Sequence, residues 1–566
     1  MPKITIDGVE YEYEGKHKLL TFALEHGVEI PYFCYHPAMS TPTNCRLCLV
    51  DIGLPAVDPV TRQPILLEDG STKINFMPKP TASCNQELLP GMVVKTHRTS
   101  EKIAKVQKSV LEFILINHPL DCPICDQAGE CPLQINTYKF GPEGSRFELE
   151  KVHKPKRIQL GPRVMLDAER CINCTRCVRF TREISGSHQL SIISRGDRNY
   201  PAAAPGQSFD DPYSMNTIDL CPVGALTSTA FRFKARVWEM NYTPTICTGC
   251  SRNCATDAWL RDNEVLRYVP RENKQVNQYW MCDEGRLDIA KYNEKRISGA
   301  KLSGETDVQI EKAYEEIASL VKVNANKILF IGSASASVET NYVLKKFASE
   351  LGVHHVYFVR YTEPGWGDNF LRKDERSPNV QGALLAGLTE TTLQELNEKL
   401  GQVQLAYIVE DNVVAEMFLK AGKKTIVHSS NYHPQFANAA VILPAATHLE
   451  SQGLFINEAG AVQQTIIAKR IKQMTPEMWI ALPKSRLDAG GVAVDNWRDQ
   501  AHVIDCLPSW LMLDAVAHIL GKNLHASTYQ KILSELKNRH EILKTFSAGQ
   551  KRKESFKMSQ FEFAIR

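Results

Sequence analysis

Residues 3 to 14, KITIDGVEYEYE, alternate apolar and polar side chains through Ile4, Ile6, Val9, Tyr11 and Tyr13, with Asp7-Gly8 as the only interruption. Alternation at period two marks a strand buried on one face, and Asp-Gly suits the backbone of a tight turn, so the stretch predicts a β-hairpin. KLLTFALEHG, residues 18 to 27, predicts a short helix stopped by Gly27, and RLCLVDI, residues 46 to 52, another strand. The period then changes: Ile103, Val106, Val110 and Ile114 recur at helical intervals behind Ser100, an N-cap, and predict a helix ending just before His118. Between these lies a Pro/Gly-rich insertion, residues 53 to 80, which predicts a solvated loop with a hairpin at Asp69-Gly70. Further on, KILFIG, HHVYFVR, LAYIVED, KTIVHSS and AAVILPA are short apolar runs separated by helical patterns such as VETNYVLKKFASELG. That order predicts a parallel, doubly wound sheet.

Composition bounds the class. At 566 residues and 43% apolar content, the chain is long enough for about four ordinary domains. MPKITIDGVEYEYEG contains no apolar block, so no signal peptide is expected. The most apolar C-terminal stretch, LPSWLMLDAVAHIL, carries Asp514 and His518 and is too short and polar for a membrane span. A soluble protein in a reducing compartment is expected, where the 16 cysteines are metal ligands before they are disulfides. The net charge of +3 argues against a strongly basic nucleic-acid binder.

The cysteines fall in sets: Cys34, Cys45, Cys48 and Cys84; Cys122, Cys125 and Cys131; Cys171, Cys174, Cys177 and Cys221; Cys247, Cys250, Cys254 and Cys282; then Cys506 alone. CxxC spacing lets neighbouring sulfurs converge on one centre, which suits zinc or an iron-sulfur cluster. CINCTRC, residues 171 to 177, is the three-thiolate run of a ferredoxin cubane, with the Cys-Pro at 221 and 222 able to close it. The first set resembles the plant-type 2Fe-2S spacing with its first interval stretched. Four such sets in tandem make better sense as an electron wire than as structural zinc. HPLDCPICDQAGECPLQ, residues 118 to 134, lacks a fourth thiolate, and His118 is the nearest unused ligand type. A neutral imidazole there removes one negative charge from a cluster, which by charge alone raises its potential. The competing assignment gives Cys221 to this set and leaves the 171 set to find another ligand.

The phrases ASCNQELLPGMVVKT, HPLDCPICDQAGECPLQ, CINCTRCVRFTREISG and NTIDLCPVGALTSTAFRFKARVWEM resemble the large iron-sulfur subunit of respiratory NADH:quinone oxidoreductases, over most of residues 1 to 285. The resemblance implies a 2Fe-2S cluster on Cys34, Cys45, Cys48 and Cys84. It also implies 4Fe-4S clusters on His118, Cys122, Cys125 and Cys131, and on Cys171, Cys174, Cys177 and Cys221. Cys247, Cys250, Cys254 and Cys282, present in only some members, predict a third 4Fe-4S cluster, off the main electron path and structural in role. Their layout also resembles the N-terminal cluster domain of molybdopterin oxidoreductases. LPAATHLESQGLFINEAGAVQQ resembles a later motif of those enzymes at Glu450, Gly453 and Asn457, but Ala461 stands where an arginine belongs, and no cysteine between 283 and 505 could bind molybdenum. No molybdopterin is therefore expected, and Cys506 reads as a buried apolar side chain. KILFIGSASAS is not a GxGxxG fingerprint and implies no nucleotide.

The expected fold is α+β in front and α/β behind. It divides into a 2Fe-2S ferredoxin-like domain at 1–98, the His/Cys3 4Fe-4S segment at 99–138 and a 4Fe-4S ferredoxin-like domain at 139–240. A molybdopterin-oxidoreductase-type 4Fe-4S domain at 241–300 and a degenerate α/β region at 301–566 follow. No nucleophile, acid-base pair or hydride site stands out, so no independent substrate chemistry is expected. The resemblance implies an electron relay: a flavoprotein NADH-binding subunit and its small 2Fe-2S partner upstream, another iron-sulfur subunit leading to quinone downstream, and other peripheral-arm subunits around it. Its expected place is the cytoplasmic side of the inner membrane, peripheral to a membrane complex. The bound clusters would take the formal +3 to roughly −4. The rival readings are an iron-sulfur subunit of an NAD-linked hydrogenase or of a formate dehydrogenase, and a multi-zinc interaction protein. The basic tail from Lys537 to Lys557 reads as a solvated end.

Overall fold

In the computed structural model the hairpin forms as the alternation requires: Lys3–Ile6 pairs antiparallel with Val9–Glu12, and Asp7 and Gly8 both take positive φ in the turn between them. The structure describes residues 1–304, 306–325, 327–482 and 502–544, organised into two units, Met1–Val237 and a second that begins at Trp238.

In the first unit the hairpin belongs to a mixed sheet ordered Val9–Glu12, Lys3–Ile6, Val93–Lys95, Leu49–Pro55, Ile74–Phe76. Lys3–Ile6 runs parallel to Val93–Lys95, and the other pairs are antiparallel. The helix Leu19–Glu25 buries Leu19, Leu20, Phe22 and Ala23 against this sheet's core and ends at Gly27, whose φ is positive. The strand expected from Arg46 starts only at Leu49, because Arg46 turns the chain left-handed and sends Leu47 and Cys48 into the cysteine loop. The Asp69-Gly70 turn forms in an exposed insertion, with Asp69 accepting from the Ser71 amide at 2.9 Å.

The helix Glu101–Leu115 starts at Ser100, whose hydroxyl accepts from the Ile103 amide. Its buried stripe is Ile103, Gln107 and Leu111, not the 103, 106, 110 and 114 set that apolarity suggests. Gln107 is drawn inward because its amide donates to the Leu49 carbonyl at 3.1 Å, a long-range bond with no trace in the local pattern. Leu111 then joins Phe33, Leu47, Leu133, Val164, Leu166 and Val223 in one core, around which the loops of three cysteine sets are wrapped.

The second unit opens with an antiparallel sheet, Asn241–Ile246, Ala255–Arg261 and Glu264–Pro270. An eight-stranded sheet follows, and six consecutive strands of it, Val441–Pro444, Lys424–Ser429, Leu405–Val409, Ile328–Ile331, Val356–Val359 and the edge strand Thr389–Thr391, are all parallel. Strands buried on both faces read as continuous apolar runs, which is why the first five of these were legible as strands, whereas the partly exposed Thr389–Thr391 was not. The helical pattern VETNYVLKKFASELG forms the helix Val338–Glu350, and Ser337 caps it by accepting from the Thr340 amide. Chain architecture is thus α+β in front and α/β behind. Among the described residues no helix is long and apolar enough to cross a membrane. Of the basic tail, the part to Lys544 is exposed except for buried Leu543 and half-buried Lys537 and His540; the rest lies outside the described residues.

Candidate metal centres

Cys34, Cys45, Cys48 and Cys84 come together as two pairs. The Cys34 thiol donates a hydrogen bond to the Cys45 sulfur, holding Cys45 down to about 6 and Cys34 up; Cys84 donates to Cys48 in the same way, holding Cys48 down and Cys84 up. Two thiol pairs side by side match the terminal ligands of a rhomb with two irons, two sulfurs for each. The loop that delivers them turns left-handed at Thr43 and Arg46, a conformation that aims successive backbone amides inward at an anion.

Cys171, Cys174, Cys177 and Cys221 share one pocket, where burial first and the like charge of neighbouring thiols after it raise the pKa of Cys171, Cys174 and Cys177. Burial pushes Cys171 up to about 12 and Cys174 up to about 11. The run again turns left-handed, at Asn173 and Thr175, and the Asn173 amide points at the Cys171 sulfur at 3.4 Å. Thr175 leads into the helix Arg176–Glu183, which carries Cys177 on its first turn. Arg176 and Arg179 on that helix were not singled out by sequence, yet both are buried. Arg176 donates to the carbonyls of Tyr35 at 2.6 Å and Leu220 at 3.0 Å, and Arg179 donates to the carbonyls of Cys34 and Ser40. Two guanidinium groups therefore clasp the first cysteine loop to the third, placing positive charge between two sites that would be anionic when loaded. The only signal for them in sequence is the arginine density of CTRCVRFTRE, which reads more simply as a solvated face.

Cys125 senses the charge of Cys122, Cys131 that of Cys125 and Cys122, and burial pushes Cys131 up to about 12. Cys122, at the start of a short 3-10 turn, is exposed. His118 follows the Glu101–Leu115 helix and lines a cavity of about 400 Å³ together with Cys45 and Cys171. Burial, then Arg170 and Lys151, lowers its pKa to about 4, so the imidazole is neutral, the form a ligand requires. Its Nδ1 is buried without a hydrogen-bond partner. Arg170 also acts on Cys125, which puts one guanidinium in reach of both the imidazole and the thiols of this set. The Cys221 loop touches the same site: the Cys131 thiol donates to the Pro222 carbonyl at 3.8 Å, and a Cβ on Gly224 would stand 2.1 Å from the Cys125 sulfur. Cys221 itself lies among Cys171, Cys174 and Cys177.

Cys247, Cys250, Cys254 and Cys282 form the fourth group, all buried; burial is the largest cause raising each pKa, and the charge of other thiols of the set adds to it for Cys247, Cys254 and Cys282. The Gly249 amide reaches the Cys247 sulfur and the Gly285 amide the Cys282 sulfur, both at 3.4 Å. A Cβ on Gly285 would lie 2.8 Å from the Cys247 sulfur, so this position is a cradle that only glycine leaves open. Among the described residues no three or more His, Cys, Asp or Glu side chains close on a single metal ion. The groups fit polynuclear cages in their donors: they are rich in thiols, backbone amides meet Cys171, Cys247 and Cys282, and apart from exposed Cys122 the sulfurs are buried or half-buried.

In the rear, Glu450 is fully buried and takes both Arg296 nitrogens at 2.7 Å. Gly453 opens the hairpin Gly453–Ile456 with Val462–Thr465, and Asn457 accepts from the Ala459 and Ala461 amides in its turn. These three motif residues thus serve the hairpin and a buried ion pair. Cys506 is buried in the sheet's core, its sulfur 3.9 Å from Glu450 Oε2.

Four family models match the chain: 2Fe-2S iron-sulfur cluster binding domain at residues 2–99, and NADH-ubiquinone oxidoreductase-G iron-sulfur binding region at 107–146. NADH-quinone oxidoreductase subunit 3, ferredoxin-like domain, matches 161–227, and Molybdopterin oxidoreductase Fe4S4 domain matches 240–292. The chain therefore carries 2Fe-2S and 4Fe-4S binding domains. It is 34% identical over 473 residues to the NADH-quinone oxidoreductase-G protein of Streptomyces coelicolor, covering 80% of this chain and 53% of that protein. It is 36% identical over 352 residues to NADH-quinone oxidoreductase subunit 3 of Thermus thermophilus, covering 59% and 44%. A solved NAD+-reducing [NiFe]-hydrogenase in the H2-reduced state shares 28% identity at a TM-score of 0.33, over 42% of this chain and 91% of that one. The chain spans about half the length of the curated relatives it matches. By its cluster-binding domains and these relatives, the chain belongs to the NADH-quinone oxidoreductase-G family of iron-sulfur subunits.

Proposed function

We propose that the chain is an iron-sulfur electron relay in the peripheral arm of an NADH:quinone oxidoreductase, on the cytoplasmic side of the membrane. It would take electrons from a flavoprotein NADH-binding subunit with its small 2Fe-2S partner and hand them to an iron-sulfur subunit on the quinone side. One 2Fe-2S cluster would be held by Cys34, Cys45, Cys48 and Cys84. Three 4Fe-4S clusters would be held by His118, Cys122, Cys125 and Cys131; by Cys171, Cys174, Cys177 and Cys221; and by Cys247, Cys250, Cys254 and Cys282. The clusters supply one-electron redox capacity; the polypeptide supplies separation, burial and charge.

The observation that carries this reading is that each four-cysteine group gathers thiols in mutual electrostatic reach inside the protein. Burial alone would keep most of them protonated, so bound iron is what makes such a grouping favourable. Within the first unit, the Arg176 and Arg179 clasps and the Pro222–Gly224 loop link neighbouring sites through short polypeptide connections, as a relay requires. Leu120, 88% accessible, and Ile124, also exposed, flank exposed Cys122 in sequence, and Phe113, 77% accessible, stands at the His118 cavity; such exposed apolar side chains support a protein partner.

Iron and acid-labile sulfide analysis of the anaerobically isolated chain tests the reading: about 14 iron atoms per chain are expected. A zinc-filled preparation without visible charge-transfer absorption would overturn it. His118→Cys should keep the iron count while lowering one midpoint potential, since a thiolate adds negative charge; unchanged potentials would remove His118 from the ligand set.

A further inference from the structure

The parallel sheet of the second unit has a switch point that the relay does not use. Ile328–Ile331 and Leu405–Val409 are neighbours. The chain leaves the first toward Val356–Val359 on one side, and the second toward Lys424–Ser429 on the other. Connections that depart in opposite directions leave a crevice at the carboxyl ends of the two strands, the place where doubly wound sheets bind ligands. A cavity of about 360 Å³ stands there, within the usual range for small-molecule sites. Ser333, Ser335 and Ser337 reach it from the first strand's turn, Glu410 and Asp411 from the second, and His448 from the facing wall.

One atom points to an occupant. Asp411 is 4% exposed; its Oδ1 accepts from the Tyr361 hydroxyl at 2.7 Å and the Val414 amide at 3.1 Å, while Oδ2 is buried with no partner. A buried carboxylate oxygen left without a donor is costly, and an occupant carrying a donor removes the cost. Burial pushes Asp411 up to about 6 and Glu410 up to about 7, the mark of acids facing no adequate counter-cation.

The lining also excludes classes. The turn after Ile328–Ile331 reads GSASAS, without the glycines that let backbone amides approach a pyrophosphate, and Ser337 already occupies the Thr340 amide at 3.2 Å. An anion would face Glu410 and the buried Asp411, and the lining cation, Lys291, is paired with Asp288. Hydroxyls suit it better, because each can donate to a carboxylate while accepting from a serine.

We infer that this cavity binds a phosphate-free ligand through a ribose-like vicinal diol, with Asp411 accepting from the diol and the serines of the 332–337 turn completing the contact. The diol could come from a nucleoside or a free sugar. Calorimetric titration and saturation-transfer NMR on the cluster-loaded full chain, with adenosine, D-ribose and 2′,3′-dideoxyadenosine as probes, separate the cases. Adenosine or D-ribose should bind, the one that binds naming the source, and the dideoxy analogue should bind at least about tenfold more weakly. Asp411→Asn keeps the side-chain shape but turns an acceptor into a donor, and should weaken binding about tenfold; Ser335→Trp, at the exposed mouth, should abolish it. Neither variant should change iron content. The inference is overturned if neither adenosine nor D-ribose binds at millimolar concentration, if the dideoxy analogue binds equally well, or if both variants bind as the parent does.

Discussion

The front and rear of this chain bury themselves by opposite means. Around Phe330, Phe347, Phe358 and Tyr407 the rear sheet is sealed by aliphatic and aromatic side chains whose packing needs nothing from outside. The front has a smaller core, and what surrounds it is irregular loop: buried thiols, left-handed turns at Thr43, Arg46, Asn173 and Thr175, and guanidinium groups donating to carbonyls. The grouped thiols and the left-handed turns are unfavourable in an empty protein, and the guanidinium groups hold them in place. A buried thiol resists ionisation, and a non-glycine residue at positive φ costs of order 1 kcal/mol. The rear is a structure that stands alone, and the front is one completed by its cofactors.

The sharpest break of that comparison is removal of the clusters. If thiolate metal sites here are worth roughly 10 kcal/mol or more each, as structural sites are, the front cannot stay ordered without them. Hydrogen exchange after reductive chelation should show the amides of 33–48, 118–131, 171–177 and 221–224 losing protection while Ile328–Ile331 and Leu405–Val409 keep theirs. Equal protection in both halves of the apoprotein would dissolve the distinction.

One methyl group should open a single site. Gly224→Ala drives a Cβ to 2.1 Å from the Cys125 sulfur, and the sulfur belongs to a constrained loop with little room to give. The iron count should fall from about 14 to about 10 while the signals of the other clusters persist. Gly285→Ala, with 2.8 Å to the Cys247 sulfur, is the matching change in the second unit and should have the milder effect. Full cluster content in Gly224→Ala would show that the loop can move.

Arg179→Lys tests whether the clasp between cysteine loops depends on geometry or on charge. The guanidinium reaches the Cys34 and Ser40 carbonyls with two different nitrogens, a fork that a single ammonium cannot reproduce. Losing one charged hydrogen bond to a buried carbonyl costs about 1.5–3 kcal/mol, so bleaching of the 2Fe-2S absorbance should move to lower denaturant concentration. Unchanged bleaching in the lysine variant would reduce the clasp to a point charge.

These residues also mark where sequence reading ran out. The hairpin at Asp7-Gly8, the Ser100 cap and the parallel strands were legible because each rests on a local signal: turn chemistry, a side chain three residues from its amide, an unbroken apolar run. The cysteine sets were legible from spacing. Gln107, Arg176 and Arg179 were not, since each is polar and is pulled inward by a carbonyl far away in sequence: Leu49 for Gln107, Tyr35 and Leu220 for Arg176, Cys34 and Ser40 for Arg179. The left-handed turns at Thr43 and Thr175 were hidden for a related reason: threonine disfavours that conformation, and only the demands of the cysteine loops impose it.

The smallest effect lies in the rear, where Glu339, like Asp411, is an acid whose burial is only partly compensated. Glu339 accepts from the Leu454 amide at 2.8 Å through Oε2, while Oε1 is buried without a partner, and burial pushes its pKa up to about 7. The folded state therefore holds this proton more tightly than the unfolded chain, whose carboxyl titrates near its ordinary value of 4.5. Stability from this group is complete below about 4.5, declines as pH rises toward 7, and is level above that, at no more than about 1.4 kcal/mol per pH unit. Glu339→Gln mimics the protonated form and should flatten that part of the unfolding-midpoint profile of the second unit, raising the midpoint slightly at pH 7 and leaving it unchanged at pH 4.5. A variant profile parallel to the parent's across the same interval would mean that Glu339 is charged in the fold, and that the rear, like the front, contains a charge stabilised by its surroundings.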